Sequence, residues 1–247
     1  MVNSHLEEII TFSAGIGRSF EEADAALRQA KARRRNLDEE GLKYNTVLYQ
    51  GEPLHDSENQ SNAEPYMRIL RFLQENGAGY DVLKAAKEIT LDPRTGLLNR
   101  VGFETRLLQM GELDSRQGYY LLFDGNNMKR LNDTYGQSLV DRLIENSGRA
   151  LVEFTRSSAD RRASSKIPGK DQRKSIEDRR QNFYQEDIIA LRVNGDCGDE
   201  FLVFVPMPHT AENTEIVQRM ARRIQDGMYL KQLDFYNAST TRPNPSN

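Results

Sequence analysis

Cysteine is nearly missing from this chain and tryptophan is absent: its 247 residues include one Cys, three His and no Trp. A lone thiol, Cys197, can form no intrachain disulfide, which suits a reducing compartment and leads to the expectation of a cytoplasmic protein. One Cys and the scattered His5, His55 and His209 offer none of the Cys/His spacings of a zinc site, so the histidines read as surface residues. No apolar run nears the ~20 residues of a membrane-spanning helix, and no span is expected. The start, Met1-Val2-Asn3-Ser4-His5, has neither the basic nor the apolar part of a secretory signal. An excess of one charge is also lacking: 34 Lys and Arg face 37 Asp and Glu, for a net charge of −3. That balance points to no particular partner.

What is present is 37% hydrophobic and 29% charged residues, enough for one core together with long polar stretches. Ile9-Ile10-Thr11-Phe12-Ser13 reads as a strand closed by Gly15-Ile16-Gly17. Ser19 with Glu22 three residues on has capping-box spacing, opening a helix from Phe20 to Arg35 with Phe20, Ala23, Leu27 and Ala30 on one face. A short strand is expected within Tyr44 to Tyr49. Gly51 to Pro65 is polar, with prolines and no periodicity, and reads as a linker. Helices are expected over Tyr66 to Gln74, Tyr80 to Ile89, Val101 to Met110 and Ser138 to Phe154, with a strand ending at Asp124 and a polar loop after it. Arg156 to Arg180 is a basic insertion that reads as a solvated loop; without interleaved aromatics it makes nucleic acid an unexpected partner. A helix over Ala211 to Gln225 and a frayed Ser/Thr/Pro/Asn-rich tail from Ala238 to Asn247 complete the chain.

Two apolar runs, Ile188 to Val193 and Leu202 to Val205, flank Gly198-Asp199-Glu200-Phe201 and read as a hairpin with two carboxylates near its tip. Asp124 ends the run Tyr119-Tyr120-Leu121-Leu122-Phe123. Carboxylates at the ends of neighbouring strands are how hard oxygen ligands are gathered for Mg²⁺, which in turn holds phosphates.

The words around these acids resemble the GGDEF domain of diguanylate cyclases. Leu91-Asp92-Pro93-Arg94-Thr95-Gly96-Leu97-Leu98-Asn99-Arg100 is similar to that family's first motif. The run Asp124-Gly125-Asn126-Asn127-Met128-Lys129-Arg130-Leu131-Asn132-Asp133-Thr134-Tyr135-Gly136-Gln137, followed by Asp141, is similar to its second. Cys197-Gly198-Asp199-Glu200-Phe201 resembles the signature itself. The family's last strand, reading TxSxG, and its last helix, ending AKxxGRN, do not follow the signature. Both have counterparts in front: Thr11-Phe12-Ser13-Ala14-Gly15, and Ala30-Lys31-Ala32-Arg33-Arg34-Arg35-Asn36. The resemblance therefore implies an α/β (α+β) fold, a palm-like mixed sheet with a signature β-hairpin flanked by helices, circularly permuted. Residues 1–50 would be the family's final third, 51–89 a linker and helical segment, and 90–237 the remainder. A domain swap would make the same contacts between two copies.

The resemblance implies an enzyme that condenses two GTP into cyclic di-GMP with Mg²⁺ or Mn²⁺ as a homodimer. Asp124, Asp199, Glu200 and the carbonyl of Gly125 would hold metal, with Asp199 and Glu200 catalytic. The backbone of Asn126, Asn127 and Met128 would cradle the phosphates, Lys129 would meet the triphosphate, and Gly198 would contact the substrate. Asn132 and Asp141 would read the guanine edge, and Lys31 and Arg35 the terminal phosphates. The alternative is a degenerate domain that binds GTP or a protein partner without turnover; a third is a related enzyme using another nucleotide. Several positions depart from the family: Cys197 for the first signature Gly, a turn lengthened by Asn194-Gly195-Asp196, Asn126 for Asp, Gln137 for His, Val140 for Gly and Arg34 for Gly. Tyr184-Gln185-Glu186-Asp187 stands where an RxxD product-inhibition word would be, without its Arg, so no such inhibition is expected.

Overall fold

A computed structural model describes residues 11–37, 39–54, 68–69, 72–73, 75–77, 79, 88–109, 117–155, 188–193 and 198–240. The sheet has five strands: β1 (Phe12–Gly17), β2 (Thr46–Leu48), β3 (Tyr119–Gly125), β4 (Ile189–Arg192) and β5 (Glu200–Val205). Their spatial order is β2-β1-β3-β5-β4, with β1 parallel to β2 and every other neighbouring pair antiparallel. The mixed α/β class expected from the sequence is the class observed, and β4 and β5 form the expected hairpin.

Alternation along the strands sorts the core into two layers. Tyr119, Leu121 and Phe123 of β3, with Phe201, Val203 and Val205 of β5, pack against α5 (Gln137–Thr155) and α6 (Ala211–Thr240). Leu122 of β3, with Leu202 and Phe204 of β5, faces the opposite way, onto Ala23 and Leu27 of α1 (Phe20–Arg33) and Phe103 of α3 (Arg100–Gln109). The sheet is thus covered on both faces.

The segment that precedes the first motif builds one side of this sheet, the edge strand β2 and its neighbour β1. β1 pairs with β3 along its whole length, Phe12 opposite Gly125 and Gly17 opposite Tyr120. α1 is pressed onto β1 so closely that a Cβ on Gly15 would lie 2.1 Å from the Ala23 carbonyl oxygen, and one on Gly17 2.3 Å from the Ala23 nitrogen. Those glycines therefore continue the strand rather than close it, and β1 runs to Gly17, four residues past the end of the Ile9–Ser13 run. Ser19 caps α1 as expected, accepting from the Glu22 N–H at 3.2 Å, while Glu22 reaches back to the Arg18 N–H at 2.8 Å. Phe20, expected on the apolar face, is 37% exposed.

Three boundaries differ from the sequence reading. The loop expected after Asp124 contains a helix, α4 (Met128–Tyr135), anchored by buried Leu131. α1 stops at Arg33 and continues as a 3-10 turn, Arg34–Asn36, which leaves Arg35 off the α-helical register of Lys31. α6 extends to Thr240 because Ile224, Met228 and Gln232 continue its buried stripe, so the expected tail begins inside a helix. A further short helix, α2 (Glu39–Lys43), leads into β2. Positions 68, 69, 72, 73, 75 and 88 are helical; the rest of the two helices expected there, the basic insertion and Asn194 to Cys197 lie outside the described residues.

Candidate functional site

The register of the sheet places the acids. Asp124, near the end of β3, lies directly opposite Glu200, the first residue of β5, so both side chains leave the sheet on the α1 face. There Lys31, near the C-terminus of α1, places its Nζ 2.7 Å from Asp124 Oδ1. Burial pushes the Asp124 carboxyl up, opposed by Lys31 and by the charge of Arg34. Asp199, just before β5, comes to the same corner: its Oδ2 is 3.2 Å from where a Cβ on Gly125 would stand, and Met128 Cγ is 2.9 Å from that point. A side chain at 125 would fill the space that Asp199 borders. Burial, then the Asp124 carboxylate and to a lesser degree Glu200, raise the Asp199 pKa to about 6.

Next to this pair opens a cleft of about 620 Å³, the size of a small-ligand site. Asn127 turns the chain with a left-handed φ of 65° and starts α4 without a side-chain cap, so the helix N-terminus adjoins the cleft uncapped by its own sequence. Of the residues expected at the site, Gly125, Asn127, Met128, Lys129 and Asp199 line this cleft. Arg34, Arg130, Asp133 and Thr134 line it as well and were not expected.

The remaining expected residues are placed around it. Asn132 sits half-buried in α4, its backbone carbonyl accepting from the Gly136 N–H at 2.9 Å. Asp141, in the first turns of α5, is ion-paired with Arg94 and accepts from Gln137 Nε2 at 2.8 Å. Neither Asn132 nor Asp141 borders the cleft, and Arg35 is exposed on the turn after α1. Gly198 is buried, and its carbonyl accepts from Arg192 Nε at 2.9 Å.

That last contact belongs to a pair the sequence reading missed. Arg192 and Asp92 have 0% and 3% of their side chains exposed and meet at 3.5 Å. Asp92 Oδ1 also accepts from the Thr95 N–H and hydroxyl. The first motif is thereby tied to the strand before the signature, and Arg192 holds the backbone just ahead of Asp199. A polar network around Asn126 was missed too: its side chain bonds Ser13 Oγ and Thr11 Oγ1, and Ser13 Oγ accepts from Asn45 Nδ2.

The donor chemistry fits a hard divalent cation. Mg²⁺ is held by one or two carboxylates with water and substrate phosphate supplying the rest, and Asp124 and Asp199 are such a pair, each raised by its surroundings in a way a cation would reverse. Among the described residues no group of three His, Cys, Asp or Glu is arranged to hold a metal. No described helix is long and apolar enough to cross a membrane.

Acids at strand ends beside an uncapped helix N-terminus can gather a divalent cation and an anionic ligand in one place. The family model for the diguanylate cyclase GGDEF domain matches residues 89–163, and this part of the chain is similar to that domain. It is 42% identical over 65 residues to the diguanylate cyclase DgcN of Escherichia coli (strain K12), a match covering 26% of this chain and 16% of that protein. The chain thus spans about a sixth of the length of this curated relative. A crystal structure of the diguanylate cyclase SiaD in complex with its activator SiaC, from Pseudomonas aeruginosa, aligns over 81% of this chain and 59% of that one, with 20% identity and a TM-score of 0.34.

Proposed function

We propose that this protein is a diguanylate cyclase, joining two GTP into cyclic di-GMP as a pair of facing copies, with residues 1–36 supplying the family's last strand and helix from the front of the chain. The observation that carries the proposal is the convergence of Asp124 and Asp199 beside the uncapped start of α4. A bound Mg²⁺ would neutralise phosphate charge and make the attacking 3′-hydroxyl easier to deprotonate. Asp124 and Asp199 would hold it, together with the Gly125 carbonyl. Lys129 and the first N–H groups of α4 bind and orient the triphosphate, and Glu200, on the same face as Asp124, accepts the proton of the attacking hydroxyl. Lys31 moves from Asp124 to the terminal phosphates as substrate enters. Asn132 and Asp141 read guanine once Asp141 exchanges its Arg94 contact for the base. Permutation is supported by β1 and α1 packing against the acid-bearing strands within one chain.

A second reading, nucleotide binding without turnover, is favoured by Lys31 and Arg34 already placing positive charge near Asp124. Incubation with Mg²⁺ and GTP, followed by chromatography, separates the two: cyclic di-GMP supports the cyclase, and calorimetric binding of GTP with no product supports the second reading. Product from ATP instead would overturn both.

A further inference from the structure

Two departures from the GGDEF words, Arg34 for glycine and Asn126 for aspartate, meet in space. Arg34 Nη1 donates to Asn126 Oδ1 at 3.1 Å. Asn126 is only 2% exposed and is fixed from three sides. Its N–H bonds the Thr11 carbonyl at 2.8 Å, its Nδ2 donates to Thr11 Oγ1 at 3.0 Å, and its Oδ1 also accepts from Ser13 Oγ at 2.9 Å. The acceptor that orients Arg34 is therefore held by Thr11 and by Ser13 of β1, and Arg34 lines the cleft with Lys129 and Asn127.

We propose that Arg34 is a phosphate-binding residue, presented to the nucleotide's polyphosphate by Asn126. The inference rests on the nucleotide-binding reading of the cleft. A guanidinium matches phosphate oxygens with parallel N–H donors, and one held in place loses little freedom on binding. The amide at 126 is what makes this work. A carboxylate buried at the same position would neutralise the guanidinium and draw it toward β1, whereas a neutral carbonyl orients it and leaves its charge for an anion. Asp199 and Asp133 border the same cleft, so a fixed cation there also offsets the repulsion an incoming polyphosphate meets.

The test is calorimetric binding of inorganic triphosphate, without metal, to the full chain and to Arg34→Gly, Arg34→Lys and Asn126→Asp, at low and moderate salt. Arg34→Gly is expected to weaken binding about tenfold and flatten its salt dependence. Arg34→Lys recovers part of the loss, and Asn126→Asp weakens binding in the same way while its melting curve remains cooperative. Triphosphate bound equally well or better by Arg34→Gly overturns the proposal, as does a parent chain that fails to bind it. GTP turnover in the same samples separates this inference from the cyclase reading. Loss of triphosphate binding in a chain that makes no product supports the Arg34 role and sinks the cyclase. Product formation whose KM for GTP is unmoved by Arg34→Gly does the reverse.

Discussion

Two cation–carboxylate pairs in this molecule have nearly the same chemistry and opposite surroundings. Arg192 and Asp92 are sealed in the interior, and the Asp92 oxygens are further satisfied by Thr95. Lys31 and Asp124 meet at the cleft, with 41% and 15% of their side chains exposed, and a second carboxylate crowds beside them. The closed pair is enclosed, hydrogen-bonded and joined to two segments of the chain. The open pair sits where burial already opposes the charge of Asp124 and where a different cation or an anion can enter. The first is an arrangement that holds structure; the second is one that can exchange partners.

The largest expected effect breaks the closed pair. Arg192→Met leaves the Asp92 carboxylate buried without its counter-charge and frees the Gly198 carbonyl, and urea unfolding should show a loss of about 3–5 kcal/mol. Replacing both members, Arg192→Met with Asp92→Leu, should recover much of this, because no buried charge is left over. If the double variant were as unstable as the single one, the hydrogen bonds to Thr95 and Gly198 rather than the charge would be what matters.

The open corner should answer oppositely. Asp199→Asn is expected to lower product formation from GTP by about 10²–10³-fold, yet to raise metal-free stability at neutral pH. The sign follows from proton linkage: the Asp199 carboxyl has a folded pKa of about 6, above its ordinary value of 3.8. Native protein therefore holds the proton more tightly, and the stability this contributes is complete below about 4 and lost as the pH rises through 6. Asparagine removes the ionisation and with it that part of the pH slope. Thermal melts of parent and variant between pH 5 and 8, about that midpoint, read the difference; parallel curves would mean that Asp199 is not held as described.

A divalent ion should act through the same groups. Because it favours the ionised carboxylates, Mg²⁺ is expected to raise the melting temperature more above pH ~6 than below it, by mass action on the folded state. The shift should vanish in Asp199→Asn and persist in Arg34→Gly. A Mg²⁺ effect independent of pH would place the ion elsewhere.

Much of this arrangement was legible before the fold was known. Continuous apolar runs marked β3 and the hairpin, Ser19 and Glu22 marked the start of α1, and the acids at 124 and 199 marked the corner they share. What escaped notice has physical reasons. Met128, Leu131 and Tyr135 have helical spacing, but the Lys, Arg, Asn and Asp between them read as a loop. Gly15 and Gly17 looked like a stop because their purpose, admitting the backbone of α1, belongs to tertiary contact. The Asp92–Arg192 pair joins residues far apart in sequence, and no local pattern points to it. Arg34 read as a departure from the family's glycine; the structure puts it in the turn after Arg33, at the cleft.

The smallest stability change should come from the open pair itself, and it is the sharpest test of the contrast. Lys31→Met removes a cation whose side chain is 41% exposed, so solvent screens most of its attraction to Asp124, and unfolding should shift by no more than about 1 kcal/mol. The direction is a loss that appears at pH values where Asp124 is ionised, because without Lys31 burial acts on that carboxyl less opposed. The methylene stem of Lys31 is retained in Met, so packing of α1 against β1 is disturbed little. Function should respond far more than stability: the KM for GTP rises, since the ammonium that would meet the terminal phosphates is gone. A destabilisation as large as that of Arg192→Met, with KM unchanged, would make Lys31–Asp124 a second structural clamp and remove the distinction between the two pairs.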